Sequence, residues 1–421
     1  MRKFLRVRAW ATAALALALA ACGGGGGGGG SIELPPIWIS TDVQVADLDG
    51  DGRPDIVTIG QYATSTTRSG FLVVRLQTAP GVFSPPRSYP AGGYPWRLQV
   101  ADVDGDGAPD LVVSDVDPTP FVTTGAVLLF KQGPVRGTFL AAQSLATTDN
   151  KPYDLAVGDV NGDGKPDIVV AANVASTVGA SLLLQDAAHP GSFLAPLALP
   201  LPGAATHVAL GDLDGDGRND LVFRVERSAT LGVADTGLGV LAGRPDGSLG
   251  AWTALPSDAV GLNGERLAVI DANGDGRMDV LEFLSACCTD YESQVRRLLQ
   301  ASPGSFARTD TLLGAYRPLA GAFSDLDVNG RTDLALASTT QDGTSSTRQA
   351  HVYTLLQDAS GMFQPAQAID MMPMEAHRVA AADLNGDGLP DLVVIGSDNR
   401  VFVLYQSAAV PGTYPSVLAL D

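Results

Sequence analysis

Three cysteines and four histidines are all that 421 residues carry, and that scarcity removes whole classes of chemistry. The histidines, His189, His207, His351 and His377, are scattered, with neither a zinc-type Cys/His cluster nor a His-Glu-x-x-His helix. There is also no Gly-x-Ser-x-Gly elbow and no phosphate-cradling glycine loop. Basic residues number 27 against 46 acidic ones, for a formal charge of −19. No basic stripe is available to neutralise phosphates, so nucleic acid is excluded as a partner. The longest N-terminal apolar stretch, Ala9–Ala21, is too short to span a bilayer.

What is abundant is Asp and Gly in one arrangement. Seven times the chain reads Asp-x-Asp/Asn-x-Asp/Asn-Gly-x-x-Asp, starting at Asp47, Asp102, Asp159, Asp212, Asp271, Asp325 and Asp383, a mean period of 56 residues. A fixed period of that size marks a repeat architecture. Positions 1, 3, 5 and 9 present oxygen donors. In order they are Asp47, Asp49, Asp51 and Asp55; Asp102, Asp104, Asp106 and Asp110; Asp159, Asn161, Asp163 and Asp167; and Asp212, Asp214, Asp216 and Asp220. Copies five to seven continue with Asp271, Asn273, Asp275 and Asp279; Asp325, Asp327, Asn329 and Asp333; and Asp383, Asn385, Asp387 and Asp391. Alternating donors on a tight loop suit Ca²⁺, which takes several oxygen ligands in a forgiving geometry, better than Mg²⁺, which demands an octahedron. The position-6 glycine permits the sharp turn. An EF-hand would need Glu at position 12, where only Glu282 occurs in seven copies. Up to seven structural Ca²⁺ ions are therefore expected. These positions hold 24 of the 46 acidic residues, so the acidity is chiefly a metal-site signature.

Each repeat divides into four short β-rich runs separated by turn residues, as in Arg378–Ala382, Leu392–Ile395, Val401–Tyr405 and Tyr414–Leu420. A Leu-Gln…Gly-x-Phe signature marks the third turn, as at Leu76-Gln77…Gly81-Val82-Phe83, and blade four (Gly243, Gly247, Leu249) departs from it. Four strands in seven repeats predict an all-β, seven-bladed β-propeller of four-stranded antiparallel blades over residues 32–421, a closed ring that shelters its sheet edges.

The run Asp383-Leu384-Asn385-Gly386-Asp387-Gly388-Leu389-Pro390-Asp391-Leu392-Val393-Val394 resembles the signature of the FG-GAP/VCBS repeat family. The resemblance extends over nearly all of residues 37–421. It implies the β-propeller of integrin α-subunits, with Asp-rich loops that bind Ca²⁺. Copy six departs by placing Val328 where the others have Gly at position 4.

The N-terminus reads as an export signal over residues 1–21: Arg2, Lys3, Arg6 and Arg8 precede the apolar stretch, and Leu19-Ala20-Ala21-Cys22 resembles a bacterial lipobox. Lipidation at Cys22 would anchor the protein, and Gly23–Gly30 within 22–31 would act as a flexible tether of about 15 Å reach. Gly23 after the cysteine resembles lipoproteins sorted to an outer membrane. Cys287 and Cys288 would meet an oxidising compartment, where a vicinal disulfide is one expected state, beside free thiols or a bridge to another chain.

Function is expected away from the metal loops. On the opposite face, just before or within each innermost strand, lie Trp96 and Arg97, Tyr153 with Asp154, Thr206 with His207, Glu265 with Arg266, and His377 with Arg378. Aromatic, His and Arg side chains around one channel mouth suit a sugar or peptide, although a polar mouth is also what solvation alone would give. The expectation is a membrane-tethered, monomeric, non-enzymatic binding or adhesion module of the cell envelope that recognises a glycan or protein. The alternatives are an exported hydrolase or polysaccharide lyase using that mouth, and a structural component of an envelope complex.

Overall fold

The computed structural model describes residues 37–63, 68–116, 125–148, 151–172, 179–226, 237–257, 262–286, 294–312, 316–340, 350–369, 376–396 and 399–420. Cys22, the glycine tract, Cys287 and Cys288 lie outside them. Seven four-stranded antiparallel sheets follow one another along the chain, each built from strands of its own repeat in chain order, with a small hairpin (Gln77–Ala79 with Val82–Phe83) between the last two strands of the first. The second strands all begin at a position-9 aspartate: Asp55–Ala63, Asp110–Val116, Asp167–Ala172, Asp220–Glu226, Asp279–Ala286, Asp333–Thr340 and Asp391–Gly396. They consist mostly of Val, Ile and Leu because they are buried on both faces, as in Asp167–Ala172, where every residue is inaccessible.

The first strands touch one another in sequence around the molecule and return from blade seven to blade one, so they line the axis of a seven-bladed propeller. No strand is exchanged between the first and last blades; each sheet is made from its own repeat.

Blades are too thin to bury a core alone, and the apolar residues sort accordingly. Each of the seven hydrophobic clusters spans two neighbouring blades. Val169, Leu182, Leu221 and Phe223 join blades three and four, and Ala335, Val352, Leu392 and Phe402 join six and seven. Val43, Ile56, Val393 and Val403 close the ring between seven and one. The core is thus a circle of sheet-on-sheet interfaces, and removing one blade would expose two of them.

Candidate functional site

Each Asp loop is wound by its own side chains. In loop one, Asp47 Oδ1 accepts from the amides of Gly50 (2.7 Å) and Asp51 (3.1 Å), and its Oδ2 accepts from Gly52 (2.8 Å). Gly50 and Gly52 stand at φ 78° and 84°, backbone that a Cβ disfavours. The same bonds recur at Asp102, Asp159, Asp212, Asp271 and Asp383. In loop six Val328 is forced to φ 57°. There Asp325 receives the amides of Asn329 and Gly330, while that of Asp327 turns to Asp333.

The position-9 aspartate is a clamp. Asp55 Oδ2 accepts from Leu48 N (2.8 Å) in its loop, and Oδ1 accepts from Gln77 N (2.6 Å) at the end of the third strand. Identical pairs of bonds occur at Asp110, Asp167, Asp220, Asp279, Asp333 and Asp391. Burial pushes the carboxyls of Asp55, Asp110, Asp279, Asp333 and Asp391 up to about 6, and raises Asp167 and Asp220 as well, against the opposing pull of these amides. Burial and then the neighbouring Asp51 or Asp216 raise Asp49 and Asp214. A carboxylate group held at such a cost is what a cation would relieve.

Among the described residues, four loops bring three carboxylates within 4.8 Å of one another: Asp47, Asp49 and Asp55; Asp102, Asp104 and Asp110; Asp212, Asp214 and Asp220; and Asp325, Asp327 and Asp333. Position 3 is Asn161, Asn273 or Asn385 in the other three, where an amide oxygen replaces a charge. The all-oxygen donor set fits a hard divalent cation.

Glutamine carries the loops around the ring, which sequence reading registered only as a Leu-Gln signature. Gln77 Nε2 donates to the Leu384 carbonyl of blade seven (2.8 Å) and Gln132 Nε2 to the Leu48 carbonyl of blade one (2.6 Å). Gln185, Gln300 and Gln357 repeat the bond to Val103, Leu213 and Ala272. Two seams differ. Blade four has Gly243 at this position, and Asn219 Nδ2 reaches Asp159 O instead (2.9 Å). In blade seven, Gln406 Nε2 bonds its own Pro390 O (2.6 Å).

Glu282, the lone EF-hand-like position 12, is no loop ligand. It sits buried in a second strand, pairing with Arg224 of the preceding blade and with Arg296 Nη1 (2.9 Å) on the adjacent strand. Arg296 Nε also lies 3.5 Å from Asp310. The break in an otherwise apolar column was the signal for this pair of ion pairs.

At the other end, the expected ligand residues share a backbone feature that the sequence did not reveal. Every innermost strand carries a β-bulge at one level: between Ser40 and Asp42, Pro95 and Arg97, Pro152 and Asp154, Ala205 and His207, Gly264 and Arg266, Pro318 and Ala320, and Ala376 and Arg378. Bulges re-aim side chains, and Trp96, Tyr153, Thr206 and His377 are bulged residues. The structure brings Trp96, Tyr153 and His207 together across three blades, with ring centroids 5.6 Å and 6.1 Å apart. Arg97 leans on Trp96 and lies 3.5 Å from buried Asp154. Burial raises the Asp154 carboxyl to about 6, opposed by Arg97, the Val208 amide and Arg266. His377 and Arg378 stand apart from this row, with Arg378 bonded to Thr41 O and His377 O of the seven–one seam. Of the other histidines, His189 pairs with Asp186 in an outer turn (2.7 Å) and His351 packs on Tyr353.

An FG-GAP-like repeat model matches residues 159–223 and 325–394, stretches that hold loops three, four, six and seven. The chain folds as a seven-bladed β-propeller, and these matches support reading its blades as FG-GAP-like repeats. In structure it is similar to the exotype rhamnogalacturonan lyase YesX, at 14% identity over 90% of this chain and 74% of that one, with a TM-score of 0.51. The rhamnogalacturonan lyase YesW is similar at 13% identity over 93% and 76%, with a TM-score of 0.50. Likeness at that identity shows the fold. No curated protein matches the chain in sequence.

Proposed function

We propose that this propeller is a calcium-stabilised binding module of the cell envelope, tethered through Cys22, that recognises a glycan or protein at the end opposite its Asp loops. One observation carries the reading: three neighbouring bulges align Trp96, Tyr153 and His207 into an aromatic row beside Arg97. Trp96 and Tyr153 are partly exposed and His207 is buried beside them. Partly exposed rings next to a cation give apolar area together with polar handles, a combination suited to sugar rings and peptide side chains. The Trp96 indole N–H is buried with no hydrogen-bond partner among the described residues, a donor that a ligand oxygen would satisfy. The test is a glycan and protein array probed with the full chain in calcium. A binding class lost at least tenfold in Trp96→Ala supports the reading, and an array without calcium-dependent binding contradicts it.

A second reading makes the same end a polysaccharide lyase or hydrolase site, with His207 as the proton-transfer group beside Thr206 Oγ1 (3.2 Å) and Arg97 facing an acidic sugar. The structural likeness to rhamnogalacturonan lyases supports testing pectic substrates first. Release of unsaturated product that disappears in His207→Ala would favour it over pure binding.

A further inference from the structure

The third turn of each blade leans over the preceding blade, and a glycine lies at the point of approach. At Gly81, Gly137, Gly191, Gly247, Gly361 and Gly412 an added methyl would meet the preceding blade within 4 Å. In four of these the partner is the residue just before the staple glutamine: Tyr405, Leu76, Lys131 and Leu356. Blade four has Ala242 at that position, followed by Gly243, where every other blade carries Leu, Lys or Tyr followed by Gln. Correspondingly, a methyl at Gly304 of blade five would meet nothing within 4 Å.

A cavity of about 370 Å³ lies between blades four and five, with Ala242 in its lining. Val240, Leu255 and Phe306 give it apolar walls, Thr253 and Ser305 stand at its edge, and Asp214 of loop four is part of its lining. Asp220 accepts the amides of Leu213 and Gly243, while Asp214 accepts that of Asp216 (3.2 Å) and belongs to the candidate cation set of loop four. The volume lies in the range of small-ligand sites, and apolar walls with a few convergent polar groups are their usual make-up.

We infer that this cavity is a binding site for a single sugar ring, separate from the aromatic row at the opposite end. The apolar face of the ring stacks on Phe306, and its hydroxyls bond Thr253 and Ser305. An uncharged ligand fits better than an anionic one because the charged lining is carboxylate. A cation held by loop four would add to hydroxyl recognition, since Ca²⁺ takes more oxygens than one loop supplies.

The test is ligand-observed NMR of the full chain in calcium with methyl β-galactopyranoside and methyl α-rhamnopyranoside, on wild type, Ala242→Leu, Phe306→Ala and Trp96→Ala. Ala242→Leu restores the side chain most other blades carry, so it fills the cavity without opening the core, and its unfolding temperature is expected to equal or exceed that of wild type. The inference predicts saturable binding of at least one glycoside, weakened tenfold or more by Ala242→Leu and by Phe306→Ala and unchanged by Trp96→Ala. No saturable binding, or affinity in Ala242→Leu within twofold of wild type, overturns it. Binding lost only in Trp96→Ala also overturns it, and leaves the opposite-end reading standing.

Discussion

Gln77 and Leu384 are 307 positions apart, yet the Gln77 carboxamide donates to the Leu384 carbonyl at 2.8 Å. The seam between the first and last blades is therefore held by the same bond that joins interior neighbours. Gln77 is buried and its backbone amide also serves Asp55. Gln77→Ala removes this donor while the Leu384 carbonyl keeps the Gly81 amide (2.8 Å), and should lower unfolding free energy by about 0.5–1.5 kcal/mol. Urea denaturation checks this, and a change within error would mean that the seam is held by its packing and its other polar bonds, such as Gly81 N to Leu384 O and Arg378 to Thr41 O.

Glu282 pairs with two buried arginines, Arg224 and Arg296. Removing one partner of such a set strands charge in the core, so Glu282→Ala should cost roughly 3–5 kcal/mol. The loss should be the same in calcium and in chelator, because Glu282 belongs to the ion pairs and not to loop five. A deficit found only in calcium would assign it to the metal loop instead.

Val328 holds a left-handed backbone at φ 57° where six other loops place glycine. A β-branched residue there is strained, by about 1–3 kcal/mol. Val328→Gly should recover part of that, about 1 kcal/mol, as a higher thermal midpoint. A lower midpoint would show that the unfolded-chain entropy of glycine outweighs the strain.

Asp154 gives a pH dependence of defined sign. Its carboxyl is raised from 3.8 to about 6 by burial, in spite of Arg97 and two backbone amides. Between those values the folded protein binds a proton that the unfolded chain has released, so stability falls as pH rises through the window. Asp154→Asn cannot titrate. The stability of wild type relative to this variant should therefore fall by up to about 3 kcal/mol between pH 4 and 6 and level off above. Paired denaturation curves measure it; a difference that is flat with pH contradicts the assignment.

Much of this was legible in the chain because the fold repeats. The Asp loop fixed the period, the glycine positions fixed the turn, and runs such as Ile168-Val169-Val170 fixed strands buried on both faces. Strand ends were also close: the last strand is Ser416–Leu420, where Tyr414–Leu420 was expected. Lateral relations were not legible. Gln132 contacts Leu48, 84 residues earlier, and nothing local in either segment announces it. The bulges at Trp96 and Tyr153 are a matter of pairing register with the second strands, which composition does not encode. The cavity beside Ala242 lies where the end of the third strand, which carries a larger residue in the other blades, carries Ala in blade four, a difference that becomes a space only in the folded ring.

Cations clasped by the Asp loops would hold the ring together, and recognition at the aromatic row would depend on that frame. Differential scanning calorimetry of the same preparation in millimolar calcium and in excess chelator tests it directly. A ligand bound only by the folded state must stabilise it, so the account predicts an unfolding temperature clearly higher in calcium and rising with its concentration. Superimposable transitions in calcium and chelator would contradict it.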